Sequence, residues 1–148
     1  MTEVREPGFC LDLPGEWEKA ERIEPGGLAY KDTSGGGTVS VMLLAVRPVY
    51  AIADSRRLLE DYLKHRATFE KGQLPSLEQS EPVSQQHDDQ VEGEWHAVDA
   101  ATGNRLRHRV VLARNVLVDV CYQASGLDDA AFGELADVLL GSVRISTQ

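Results

Sequence analysis

Residues 9–23 read "FCLDLPGEWEKAERI". Phe9, Leu11 and Leu13 alternate with Cys10 and Asp12, the period-two pattern of a half-buried strand. Pro14-Gly15 turns the chain, because proline presets one turn dihedral and glycine accepts a positive φ. Trp17 lands where the chain re-enters. The stretch therefore predicts the closure of a core, with Phe9, Leu11 and Leu13 inward and Trp17 as an aromatic latch.

Outward from it, Leu28-Ala29-Tyr30 begins a second strand, and Ser34-Gly35-Gly36-Gly37 makes a loose hairpin turn into Thr38–Val46. The first half of that segment alternates and its second half is apolar on both faces, as in a central strand covered from two sides. Pro48 ends it. Asp54 can cap a helix running to about Lys71, with Gly72 as its stop and Leu58, Leu59, Tyr62, Leu63 and Phe69 as its apolar stripe. After a loop over 73–83, strands are predicted at Val83–His87, Gln90–Ala100, Arg105–Ala113 and Val116–Ala124. Asp128 or Asp129 then caps a second helix that buries Phe132, Leu135, Ala136, Leu139 and Leu140, with a last short strand or tail at 143–145. The order predicts one α+β domain over 1–148: an antiparallel sheet of about six or seven strands with two main helices packed on it.

Hairpin parity decides which side chains share a face. Val91, Gly93, Trp95 and Ala97 alternate with Glu92, Glu94, His96 and Val98; Leu106, His108, Val110 and Leu112 oppose Arg105, Arg107 and Arg109. A two-residue turn at Thr102-Gly103 or Gly103-Asn104 makes the apolar faces coincide and puts Glu94 and His96 with the arginines. At the next hairpin a two-residue Arg114-Asn115 turn would put Val116, Val118 and Val120 beside the arginines. An odd loop or a bulge there would restore the apolar match, and one of these is expected.

The 148 residues carry a net charge of −9, which argues against a nucleic-acid partner, since phosphate binding rests on clustered Lys and Arg. No run approaches the ~20 apolar residues of a membrane span, and the first residues lack the apolar core of a secretory signal. Two cysteines read as free thiols, and a cytoplasmic location is expected.

The four histidines lack zinc-ligand spacing, so no metal or other cofactor is expected. Gly35-Gly36-Gly37 precedes a strand rather than a helix, which makes it a turn and not a phosphate cradle. The arginine stripe reads first as cross-strand pairing with Glu92 and Glu94, and second as a surface for an acidic group. A catalytic or small-ligand reading would need a pocket lined by His96, His108, Cys121 or Tyr122.

Three segments together resemble a known fold family. "FCLDLPGEWE" at the start, "GGGTVSVMLLAV" before the long helix and "FGELADVLLGSVRI" at the end look like the PsbP-like α-β-α sandwich. It is shared by the extrinsic subunit of photosystem II, a eukaryotic Ran-binding factor, DcrB-like lipoproteins and cytosolic chaperones of type VI secretion effectors. The resemblance implies a non-enzymatic protein, and the chaperone branch implies an exposed apolar groove. The expected function is a small non-catalytic module that binds a protein or peptide, chaperone- or adaptor-like, without membrane insertion. Arg105, Arg107 and Arg109 would steer the partner, with Trp17, Tyr50 and Trp95 as anchors. An immunity protein neutralising a basic toxin, or a homodimer, are the other binding arrangements the residues allow.

Overall fold

The computed structural model describes residues 2–20, 27–33, 37–46, 52–87, 90–113 and 115–145. Its large antiparallel sheet is built from β3 (Trp17–Ala20), β4 (Gly27–Asp32), β5 (Thr38–Ala45), β10 (Val116–Ala124), β9 (Arg105–Ala113) and β8 (Gln90–Asp99), in that order across the sheet. The far edge of β8 is shared by two short strands, β6 (Leu77–Gln79) and β7 (Val83–His87), either side of Pro82. Proline has no N–H for a ladder, so the break falls where the sequence requires it.

The opening stretch lies outside this sheet. β2 (Phe9–Leu13) pairs with β1 (Thr2–Glu6) and with β11 (Arg144–Ile145) in a second, three-stranded sheet. Its inward residues behave as their alternation predicts: Phe9, Leu11 and Leu13 are fully buried. They pack with Val39, Val41, Val118 and Val120 of the large sheet and with Phe132, Ala136, Leu139 and Leu140 of α2 (Asp129–Gly141). Asp128 caps α2, accepting from the Ala131 N–H at 2.8 Å. Leu135, placed on the buried stripe by spacing, is 38% exposed, because the stripe is centred on Ala136.

On the opposite face lies α1 (Ile52–Gln73), 22 residues and about 33 Å long. It begins before Asp54, which sits in the first turn rather than at the cap. Leu59, Leu63 and Ala67 form its buried line, against Val91, Trp95, Val110, Leu112 and Leu117. Leu58 and Phe69 fall off that line and are exposed. The layers are thus α1, large sheet, then α2 with the small sheet: an α+β sandwich as expected, with more strands than the sequence suggested.

Both hairpins have odd pairing sums. The β8–β9 connection spans 100–103, longer than a two-residue turn, yet Trp95 still faces His108 and Ala97 faces Leu106. At the next hairpin no bulge intervenes: Ala113 pairs with Val116, so the connection is the two residues 114–115. Val118, Val120 and Tyr122 therefore share the arginine face, and Asp119 and Cys121 share the face of His108. The expected apolar rematching is not needed, because α2 and the small sheet bury the mixed face.

α1 approaches the sheet most closely at Gly93, where a methyl group would lie 2.3 Å from Leu63 Cδ1. Gly93→Ala is expected to lose about 1–3 kcal/mol of stability by overpacking. Urea unfolding checks this, and an unchanged midpoint would show that Leu63 repacks freely.

Candidate functional site

The three arginines do not form an open surface. They run along β9 for about 14 Å, beside α2, whose Asp129 and Leu140 are about 16 Å apart along its axis. Arg105 bonds Asp129 and the Leu127 carbonyl; Arg107 bonds Asp137; Arg109 donates to the Leu140 carbonyl and to Glu92 at 2.7 Å. α2 has no basic residue in its last turn, so Arg109 supplies the cation that its C-terminal carbonyls favour. The stripe clamps a helix to a sheet.

The proposed anchors are also redistributed. Trp17 is half-buried: its Nε1 donates to the Pro14 carbonyl at 2.8 Å, and its ring meets Tyr122 edge-on at 6.4 Å. Tyr122 in turn stacks on Phe132 at 5.1 Å, which fixes both rings in the core. Trp95 is only 1% exposed, so burial beneath α1 leaves it no surface for a partner. Tyr50 lies outside the described residues. His96 faces Arg107 on the α2 side, opposite to His108, so these two histidines share no site.

Beneath α1 the structure assembles a cluster that sequence reasoning did not put together. His108, 3% exposed, stacks on Trp95 at 3.9 Å. Its Nε2 faces Glu70 Oε2 at 2.6 Å and its Nδ1 faces Asp119 Oδ1 at 3.0 Å. Two ionised carboxylates, one at each ring nitrogen, are both satisfied only when both nitrogens carry hydrogen. Burial alone would discharge the ring, but the facing Cys121 sulfur and the Asp119 carboxylate outweigh it, and His108 keeps its proton well above the ordinary imidazole range. Burial likewise opposes the charge on Asp119 and Glu70, and the bonds from His108 overcome it and hold both carboxyls below their usual range. Trp95 Nε1 completes Glu70, and the Tyr62 hydroxyl completes Asp119 at 2.6 Å.

This cluster forms one wall of a groove. α1 covers β6 to β9 and reaches β10 at Leu117 and Asp119, and it leaves the same face open over β3, β4 and the middle of β5, up to Cys121 of β10. One row of paired residues crosses six strands: Ala20, Ala29, Ser40, Cys121, His108, Trp95. The last two are large and lie beside or beneath the helix; the first four are small and leave about 310 Å³ of space, mostly apolar, flanked by Met42 and by Arg66 of α1. Two wider depressions are more polar: Glu60, Lys64 and Glu81 line one, and Lys19, paired with Glu6, lies in the other.

Cys121 is buried and faces His108, but both His108 nitrogens are held by carboxylates, so the ring has no free lone pair to accept a thiol proton. For the same reason it offers no lone pair to a metal. Among the described residues no helix is long and apolar enough to span a membrane.

No family model matches the chain, and no curated protein matches its sequence. Solved structures do. The solution structure of cyanobacterial PsbP from Synechocystis, CyanoP, superposes with a TM-score of 0.71 at 12% identity, over 98% of this chain and 92% of that one. The fold is PsbP-like. LpqN of Mycobacterium tuberculosis, involved in cell envelope biogenesis, matches with a TM-score of 0.54 at 15% identity over 98% and 90% of the two chains. A Bacteroides thetaiotaomicron protein follows at 0.51 and 11%, over 99% of this chain and 48% of that one.

Two measurements test these assignments. Arg109→Met is expected to cost about 2 kcal/mol, because Glu92 is nearly buried and loses a charged hydrogen bond. Arg105→Ala and Arg107→Ala, with exposed partners, should each cost less than about 1 kcal/mol in the same urea titration. The second concerns pH. The contribution of His108 is complete below the unfolded imidazole value of about 6.5 and is lost as pH rises through the higher folded value. The carboxylates contribute above about pH 4 and lose that contribution as pH falls through their depressed folded values. Stability should therefore peak in mildly acidic solution and decline above about pH 6.5. His108→Gln should lower it by about 3–5 kcal/mol and remove that decline; a wild-type curve flat from pH 6.5 to 8.5 would contradict the doubly protonated ring.

Proposed function

We propose that this protein is a non-catalytic binding module, chaperone- or adaptor-like, that docks an apolar segment of a protein partner in the groove over β3, β4, β5 and β10. The observation that carries the reading is the row Ala20, Ala29, Ser40, Cys121, whose small side chains leave an apolar part of the sheet uncovered beside α1. A stable domain has no packing reason to keep large residues off a sheet face, whereas a docking groove needs the room. The PsbP-like fold is in keeping with a role without chemistry. The chain's net charge of −9 favours solubility and disfavours acidic competitors.

Filling the groove is the direct test. Ser40 is exposed on its floor, so Ser40→Trp should fold with an unchanged unfolding midpoint and block the space. Val138→Glu alters an exposed position on α2, the other side of the molecule. At physiological salt, a partner captured by the wild type should be lost with Ser40→Trp and kept with Val138→Glu. Equal capture by both variants would remove the groove as the docking surface.

A further inference from the structure

The groove contains a cation whose hydrogen-bonding capacity is unused. Arg66 projects from α1 to the groove wall, with its side chain 29% exposed. Its Nε is buried with no acceptor, and the guanidinium makes no hydrogen bond among the described residues. Its nearest anion is Asp119, 3.7 Å away, whose oxygens already serve the Tyr62 hydroxyl and His108. Arg66 is nevertheless held in place, its Cζ 5.6 Å from the ring centre of Phe69. A planar fork at the edge of an apolar groove, with no hydrogen-bond acceptor on its Nε, matches a carboxylate in geometry and charge.

We infer that the groove receives the C-terminal residue of an apolar protein segment, its side chain on the Ala29–Ser40–Cys121 floor and its α-carboxylate in the fork of Arg66. This rests on the binding reading above and names the end of the partner that enters. The apolar floor and the cation are close: Cys121 is two residues along the same strand face from Asp119, the residue beside Arg66. A terminal residue carries an apolar side chain and a carboxylate on one carbon, so it spans both at once. An apolar mid-chain residue can offer Arg66 only a neutral carbonyl, and a mid-chain Asp or Glu brings a carboxylate without the apolar side chain that the floor accepts. One fork neutralises one charge, which favours a carboxylate over a phosphate dianion next to Asp119. Lys31 lines the same groove, so in a chain of net charge −9 the lining sets Arg66, Lys31 and the protonated His108 against a single acidic side chain, Asp119.

The test compares a fluorescein-labelled pentapeptide, Gly-Ser-Gly-Leu-Val, as free acid and as C-terminal amide, by fluorescence anisotropy and amide chemical shifts. The wild type should bind the acid at least about tenfold more tightly than the amide, as expected when a charge-assisted pair is replaced by a neutral group. The shifts should map to Ala29, Ser40 and Cys121. Arg66→Met should erase the difference between acid and amide, and Arg66→Lys should keep part of it, which separates a lost fork from a misfolded groove. Equal affinities in the wild type would overturn the carboxylate assignment while leaving an apolar groove standing. Binding of 4-phenylbutyrate but of neither peptide would make the occupant a small carboxylate and overturn the C-terminal assignment. Binding of no probe up to millimolar concentration, together with partner capture that survives Ser40→Trp, would remove both the inference and the groove.

Discussion

The contact between His108 and Asp119 governs how this molecule divides its sheet. Both residues sit mid-strand on a face that is otherwise apolar, and each is too costly to bury alone. Together with Glu70 they become affordable, and Glu70 belongs to α1, so the helix is held at one position across the sheet. Its placement follows from a polar bond as much as from Leu59 and Leu63. Because α1 is fixed over β6 to β9, half of the face stays open, and the groove is the remainder.

Much of the architecture could be read directly. Alternation located β2, β8 and β9, and helical spacing located both helices, because a period of 2 or 3.6 is a local property of the chain. The small sheet was harder to see: β11 has two residues, and β2 pairs with segments at both ends of the domain. β11 meets β2 only across the length of the chain and leaves no local mark, whereas β1 joins β2 through the two-residue turn Pro7-Gly8 and is concealed by its mostly polar sequence, TEVRE. The 114–115 turn shows a different limit. Preference for matching apolar faces argued for a bulge, but α2 brings Asp129, Asp137 and an acceptor carbonyl to the arginines, and tertiary contact overrode the pattern.

The site was legible only in pieces. An acid inside "VLVDVCY" signals a buried partner, and Asp119 was visible as a neighbour of Cys121. Arg66 and Glu70, four residues apart on one helix, were not separable from the charged residues around them that face water. Nothing local distinguishes Glu70 from Glu60; only the docking angle of α1 does. The small residues at 20, 29, 40 and 121 are equally silent, since each is unremarkable until pairing sets them in one row.

The ends of the large sheet bear on how the protein can associate. β3 has four residues and displays Glu18 and Lys19, and the opposite edge is interrupted at Pro82 between two strands of three and five residues. Neither edge offers a long, flat ladder of free N–H and C=O groups on which a foreign strand could grow. Templated β-addition, with its risk of open-ended polymerisation, is discouraged at both ends. Any visiting chain would be left with the broad surface of the sheet, where recognition depends on side chains and does not propagate from copy to copy.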